Sequence, residues 1–261
     1  MSFVNIIYSK QDGIAHIAVN RQDKRNALDR ATRLEILSSL EDIVNDNSTR
    51  AVILSGKGGQ SFIAGSDLAE LSRLNALEME EFMATLGQSL YTRLERIDKP
   101  VIAMIDGLCL GGGLELSMAC DLRIASESSR FGQPEILLGI IPGGGGTQRL
   151  ARLVGVGRAK EMIFTGKIID AAEALRIGLI NQVSTADALE ECVMKTARLL
   201  ASNSPLAIKW AKRTINFGQE TGLSIGLSYE SLAECLLFTS SDKEEGMKAF
   251  FEKRKPAFAG K

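Results

Sequence analysis

An apolar strand, a glycine-bearing loop and a helix follow one another twice in this chain, around residues 51–75 and 100–120. The first unit opens with Ala51-Val52-Ile53-Leu54-Ser55-Gly56 and passes through a loop from Lys57 to Gly65, with a helix expected from Asp67. The second runs from Lys99-Pro100-Val101 to Ile105 and Gly107. Gly111-Gly112-Gly113 then opens a helix through Cys120, and another strand follows at Asp121–Ala125. No strict sequence repeat is present; what recurs is the supersecondary unit. Strands alternating with helices predict an α/β layered domain.

The flanking segments extend this reading. Residues 3–9 and 14–19 predict two strands around Asp12-Gly13, a hairpin signal. Asp29 precedes a helical pattern in Leu34, Leu37, Leu40 and Val44. A longer helix is predicted from about Glu78 to Ile97, with Met79, Phe82, Met83, Leu86, Leu90 and Leu94 on its apolar face. The last third is helical. Asp170 and Glu173 form a cap pair with Gly178 as a stop. Ser204-Pro205 starts a helix that runs to Gly218. Ser241-Asp242-Lys243-Glu244 resembles a capping box, with Met247, Phe250 and Phe251 on the apolar side. The expected division is a core over 1–200 and a helical region over 201–261 that packs on a neighbouring subunit.

Composition narrows the chemistry. The 261 residues carry 31 Lys and Arg against 32 Asp and Glu, which argues against a sequence-independent grip on nucleic acid. No apolar run approaches the roughly 20 residues of a spanning helix, so no membrane partner is expected. Met1-Ser2-Phe3-Val4-Asn5 does not read as a signal peptide, and a cytoplasmic location is expected. Cys109, Cys120, Cys192 and Cys235 form no CxxC pair. His16 is the sole imidazole and sits in a short β-like run, where a structural role is expected. Acid–base work therefore falls to carboxylates.

Three segments stand out. Gly107 to Leu116 feeds a strand into a glycine triplet and a helix, where free N–H groups can face an anion or a developing oxyanion. It is not a P-loop, and Leu116 stands where a dinucleotide-binding turn needs its third glycine. Phe62-Ile63-Ala64-Gly65-Ser66-Asp67-Leu68 is a second such turn, although Ser66-Asp67 also suits a simple N-cap. Side by side, the two turns could set two N–H donors around one oxygen. Finally, Phe131-Gly132-Gln133-Pro134-Glu135 leads to Pro142 and four glycines, Gly143 to Gly146. Glu135 precedes Ile136, Leu137 and Leu138, and Glu115 lies between Leu114 and Leu116. A carboxyl group among apolar neighbours needs a partner or a task.

On these segments the chain resembles the enoyl-CoA hydratase/isomerase, or crotonase, superfamily, and most of all its short-chain hydratases. The likeness runs from Asn20-Arg21 and Asn26-Ala27-Leu28 to Phe250-Phe251-Glu252-Lys253-Arg254. The resemblance implies an α/β spiral of repeated ββα units and a helical C-terminal region used in trimers or hexamers. It also implies an acyl-CoA thioester substrate and no cofactor, because coenzyme A is part of the substrate. The implied catalytic pair is Glu115 and Glu135. The implied oxyanion donors are the N–H groups of Ser66 and Gly112. The implied CoA or substrate contacts are Lys24, Arg25, Ala27, Ala64, Asp67, Leu68, Phe250 and Lys253, the last two reaching a neighbouring subunit's CoA.

Two positions depart from the pattern: Ser66 stands where many hydratases have Ala, and Leu114 where Cys is common. The implied reaction is reversible addition of water to a 2-enoyl-CoA. The alternatives are a hydratase of a cyclic dienoyl-CoA, an enoyl-CoA isomerase, and a non-catalytic RNA-binding relative.

Overall fold

The computed structural model of the chain describes residues 3–261; Met1 and Ser2 of the segment read for a signal peptide lie outside them. Among the described residues, ten strands form two sheets. They are β1 (Ile6–Gln11), β2 (Ile14–Val19), β3 (Ala51–Gly56), β4 (Ser61–Ile63), β5 (Val101–Ile105), β6 (Leu108–Leu110), β7 (Leu122–Ser126), β8 (Arg130–Gly132), β9 (Ile168–Asp170) and β10 (Gln182–Ser184). The helices are α1 (Arg30–Asn45), α2 (Leu68–Leu71), α3 (Ala76–Phe82), α4 (Gln88–Arg96), α5 (Gly112–Met118), α6 (Gly146–Val154), α7 (Val156–Thr165) and α8 (Ala171–Arg176). They continue with α9 (Leu189–Ser202), α10 (Pro205–Gly218), α11 (Leu223–Phe238) and α12 (Ser241–Phe251).

The larger sheet has the order β1-β2-β3-β5-β7-β10, and the smaller β4-β6-β8-β9. Pairing is parallel except for the β1–β2 hairpin and the β8–β9 edge. Each turn of the chain thus lays one strand in each sheet before a helix returns it, which is the expected spiral of ββα units. Both faces of the larger sheet are covered. One joins the main core with Leu54, Ala103 and Phe62; the other meets Leu189, Val193 and Ala197 of α9 through Ile53, Ile102 and Ile124. This is why β3 and β5 read as unbroken apolar runs rather than alternating ones.

Several local expectations hold. Asp12 and Gly13 both take positive φ, 52° and 76°, as a tight hairpin turn requires. Asp29 caps α1, accepting from Thr32 N–H at 2.8 Å. Asp170 accepts from Glu173 N–H at 2.8 Å, and α10 has the expected ends with Ser204 as its cap. His16 bonds Ser55 Oγ at 2.8 Å between β2 and β3, a structural place.

Three expectations are corrected. The stripe that α1 buries is Thr32, Arg33, Ile36, Leu40 and Ile43, whereas Leu34 and Val44 are exposed. The predicted 78–97 helix is interrupted by a π-helical stretch at Met83–Gly87, a local widening that recurs at functional sites. There Gln88 Nε2 donates to the Gly143 carbonyl at 2.9 Å. The cap of α12 is Ser240, one residue earlier than predicted. Asp242 instead turns inward, accepting from Ser204 Oγ at 2.7 Å and from Ala259 N–H at 2.8 Å. Phe250 and Phe251, on the apolar side of α12, are 78% and 79% exposed in the single chain.

Candidate active site

The smaller sheet assembles the site. In β4, β6 and β8, parallel neighbours pair Ile63 with Cys109, Cys109 with Phe131 and Leu110 with Gly132. Their C-terminal ends therefore open side by side, and each feeds one of the segments singled out in the sequence. After β4 comes Ser66, after β6 Gly112, after β8 Glu135. Ligand sites collect at such strand ends in parallel sheets.

Ser66 and Gly112 are brought together as the sequence allowed. A parallel bridge joins Leu28 to Ser66: Leu28 N–H donates to the Gly65 carbonyl and Asp67 N–H to the Leu28 carbonyl, both at 2.9 Å. That pattern turns the N–H of Ser66 to the opposite edge. Gly112 is the first residue of α5, so its N–H has no intrahelical carbonyl. The two approach closely. A Cβ on Gly112 would lie 2.8 Å from Ser66 Oγ and 3.3 Å from Ser66 N, so only glycine fits.

Glu115 sits one turn into α5 and is 4% exposed. Its Oε1 accepts from Gly146 N–H at 2.8 Å, at the start of α6. Burial pushes its pKa up, against the backbone donors of Gly146 and Gly144 and the charges of Arg33 and Arg149. The glycine run is what allows this approach: a Cβ at Gly144 would stand 2.6 Å from Glu115 Oε2.

Glu135 occupies a 3-10 turn, Pro134–Leu138, and is half-buried, although Ile136, Leu137 and Leu138 beside it are exposed. Its burial comes from across the sheet: a Cβ at Gly111 would stand 3.0 Å from Glu135 Oε1. Burial, with the charge of Glu115 adding to it, raises its pKa to about 7. The buried Gln133 side chain holds Glu135. With its amide nitrogen facing the turn, it donates to Glu135 Oε1 and Oε2 at 3.0 and 3.1 Å. A Cβ at Gly146 would stand 3.0 Å from both Glu115 Oε1 and that amide.

The remaining predicted residues divide into two groups. Ala64 N–H donates to the Arg25 carbonyl at 3.1 Å, and the Leu28–Ser66 bridge continues this contact, so residues 24–28 and 64–68 form one rim. Lys24, Arg25 and Leu68 are exposed on it; Ala27 and Ala64 are half-buried. Asp67 caps α2 through Ala69 N–H and pairs with Arg21 at 3.2 Å, which holds its carboxyl below the ordinary range despite partial burial. Phe250 and Lys253 lie at the far end of α12, where their contacts are local, with Phe251 and between themselves. A single chain does not bring them to the rim.

Sequence reasoning missed Arg33 and Tyr91, both buried beside Ser66 and Gly112. Tyr91 lies between Ser89 and Leu94, one position after Leu90 of the predicted apolar face, and its place there is a usable signal. Arg33 has none, since a cation is the last residue assigned to a core. Among the described residues, no cluster of three or more His, Cys, Asp or Glu suits a metal ion.

The sequence profile of the enoyl-CoA hydratase/isomerase family matches residues 9–261. The chain belongs to this family. It is 45% identical over 255 residues to a short-chain-enoyl-CoA hydratase of Clostridium acetobutylicum, covering 98% of this chain and 97% of the other. It is 44% identical over its whole length to a crotonyl-CoA hydratase of Syntrophomonas wolfei, itself fully covered. The crystal structure of an enoyl-CoA hydratase from Bacillus anthracis superposes with a TM-score of 0.95 at 41% identity, covering 99% of this chain and 100% of that one. Enoyl-CoA hydratase/isomerase membership and the crotonase-type spiral thus rest on sequence and fold together.

Proposed function

We propose that this chain is a short-chain 2-enoyl-CoA hydratase, adding water reversibly across the 2,3 double bond to give a 3-hydroxyacyl-CoA. The observation that carries the reading is the arrangement of two acids of raised pKa, Glu115 and Glu135, beside two backbone N–H donors. These two relatives support the short-chain preference through their own names, which specify short-chain-enoyl-CoA and crotonyl-CoA.

The chemistry follows from that arrangement. The thioester carbonyl oxygen accepts from the N–H groups of Ser66 and Gly112, which stabilise the enolate formed as water attacks Cβ. Glu115, held in place by the Gly146 N–H, takes a proton from the attacking water as its carboxylate. Glu135 gives its proton to Cα. One C–O and one C–H bond form, the alkene π bond and one O–H bond of water break, and no oxidation state needs an outside redox partner. After one turnover the proton has moved from Glu135 to Glu115, and exchange between the pair or with solvent resets it. Coenzyme A arrives with the substrate, and the mechanism calls for no other cofactor.

The test is loss of the conjugated-thioester absorbance when the purified protein meets crotonyl-CoA. Turnover that falls as the acyl chain lengthens supports the short-chain reading. A folded protein inactive on linear enoyl-CoA but active on a cyclic dienoyl-CoA, or one that only moves the double bond, would replace it. The pH dependence is a second check. Glu135 must be protonated to complete hydration, so kcat for hydration is expected to fall as pH rises through about 7. Dehydration uses the same singly protonated pair in its other tautomer, so its kcat/KM is expected to follow the same pH profile as that of hydration. Hydration still at its maximum above pH 9 would contradict the assignment.

The CoA contacts and the assembly belong to the same proposal. Lys24 and Arg25 supply exposed cations for the CoA phosphates. Phe250 and Lys253, unconnected to the rim within one chain, reach the CoA of a neighbouring subunit. The exposed Leu223, Ile225, Leu232, Leu236 and Phe238 on α11 give an assembly surface. Light scattering is expected to give three or six times the 28.2 kDa of the chain. Replacing Lys24 and Arg25 together with Ala is expected to raise KM about tenfold at low salt with kcat unchanged, and less at high salt. A KM unmoved at every salt concentration would remove them from the CoA site. Residence in the cytoplasm completes the reading and agrees with four free thiols.

A further inference from the structure

Behind the two N–H donors lies a buried cation. Arg33 projects from α1 and is 1% exposed. Its guanidinium divides. Nη2 donates to Ser66 Oγ at 2.8 Å, and Nη1 donates to Tyr91 Oη at 3.1 Å. The Tyr91 hydroxyl in turn donates to the Gly112 carbonyl at 3.0 Å. The guanidinium carbon stands 5.3 Å from the ring centre of Phe82 and 5.6 Å from that of Tyr91. Both hydrogen-bond partners are neutral hydroxyls, and Nε has no partner at all.

A buried guanidinium hydrogen-bonded only to neutral hydroxyls is costly unless nearby negative charge answers it, and the Glu115 carboxylate is one such charge. One arm of this fork ends on Ser66, and the other reaches Gly112 through the Tyr91 hydroxyl, so it joins the two residues that present the oxyanion donors. A planar guanidinium fixes the spacing of whatever its arms hold better than a flexible ammonium does. Its positive charge also favours negative charge developing beside it, and a water-poor setting strengthens that effect.

We propose that Arg33 is a positioning residue for the oxyanion hole, setting the spacing of Ser66 and Gly112 and supplying the buried positive charge that the enolate answers. This rests on the hydratase reading. Arg33 touches no substrate; it acts through Ser66 and Tyr91. Because the enolate charge exists only during reaction, the effect falls on kcat rather than on KM.

The test uses the whole protein and a cinnamoyl-CoA thioester, whose absorption moves to longer wavelength as its carbonyl is polarised. Wild type is expected to bind it with a red shift. Arg33→Met, close in length and uncharged, is expected to lose most of that shift and about tenfold or more in kcat on crotonyl-CoA, with KM within threefold. Arg33→Lys is expected to recover part of the shift, through charge without the fork. A folded Arg33→Met with the full red shift and wild-type kcat overturns the proposal. If that variant does not fold, Ser66→Ala and Tyr91→Phe each cut one arm and leave the charge in place. Each is expected to reduce the shift, and an unchanged shift in both overturns the proposal. A wild type that neither hydrates crotonyl-CoA nor shifts the probe removes the hydratase reading, and this inference with it.

Discussion

Hydration of crotonyl-CoA by the Glu135→Gln protein is expected to run about 10²–10⁴-fold slower than by wild type, with KM within about threefold. Gln keeps the shape of the side chain, so packing against Gly111 survives, but it has no proton to give to carbon. Glu115→Gln is expected to fall by a similar factor, because the amide cannot take the proton from water. The double variant should not multiply the two losses, since the acids act on one water and one alkene. Either single variant within tenfold of wild type would mean that the two-acid mechanism is wrong.

The same Glu135 variant carries a signature in stability. A carboxyl whose folded pKa is raised from 4.5 to about 7 is held most comfortably when protonated. Its contribution to stability is full below about pH 4.5 and is lost as pH rises through about 7. Glu135→Gln never ionises. It is expected to melt a few degrees above wild type at pH 8 and at the same temperature at pH 4. Equal melting temperatures at both pH values would show that Glu135 ionises as freely in the fold as in the open chain. Gain in stability with loss of turnover marks a group strained for function.

Much of this site could be read from the chain because its parts are local. The glycine triplet, the Gly143–Gly146 run and the embedded acids are sequence-local features, and parallel pairing of short strands then places them together. What could not be read depends on which way α1 faces. Leu34, Leu37, Leu40 and Val44 make a plausible stripe, yet the buried one passes through Thr32, Arg33, Ile36, Leu40 and Ile43. Two stripes compete on one helix, and only tertiary packing chooses between them. β4, β6 and β8 span three residues each, too few for a periodic signal. The π stretch at Met83–Gly87 has no period of its own, because the apolar spacing around it continues on both sides. The capping box read from Ser241 misled for a related reason: Asp242 answers Ser204 and the C-terminal segment, and Ser240 caps the helix.

Gly112→Ala tests the oxyanion hole by adding a single methyl group. Gly112 opens α5 without a positive φ, so alanine meets no backbone strain there and helix propensity favours it. The obstacle is space. The new Cβ would stand 2.8 Å from Ser66 Oγ, 3.2 Å from Tyr91 Oη and 3.3 Å from Ser66 N. A free hydroxyl would swing away at little cost. This one is held by Arg33 at 2.8 Å, and the Ser66 nitrogen behind it is backbone. The separation of the two donors must therefore widen, or the Arg33 fork must open. Either change removes one donor from its place, at an expected cost of about 10²–10³ in kcat. Binding of CoA itself, proposed through the exposed cations Lys24 and Arg25, is expected to stay within a few-fold. Ser66→Gly in the same chain removes the nearest obstacle and should restore part of the rate. A Gly112→Ala protein that hydrates crotonyl-CoA at the wild-type rate would place the oxyanion elsewhere.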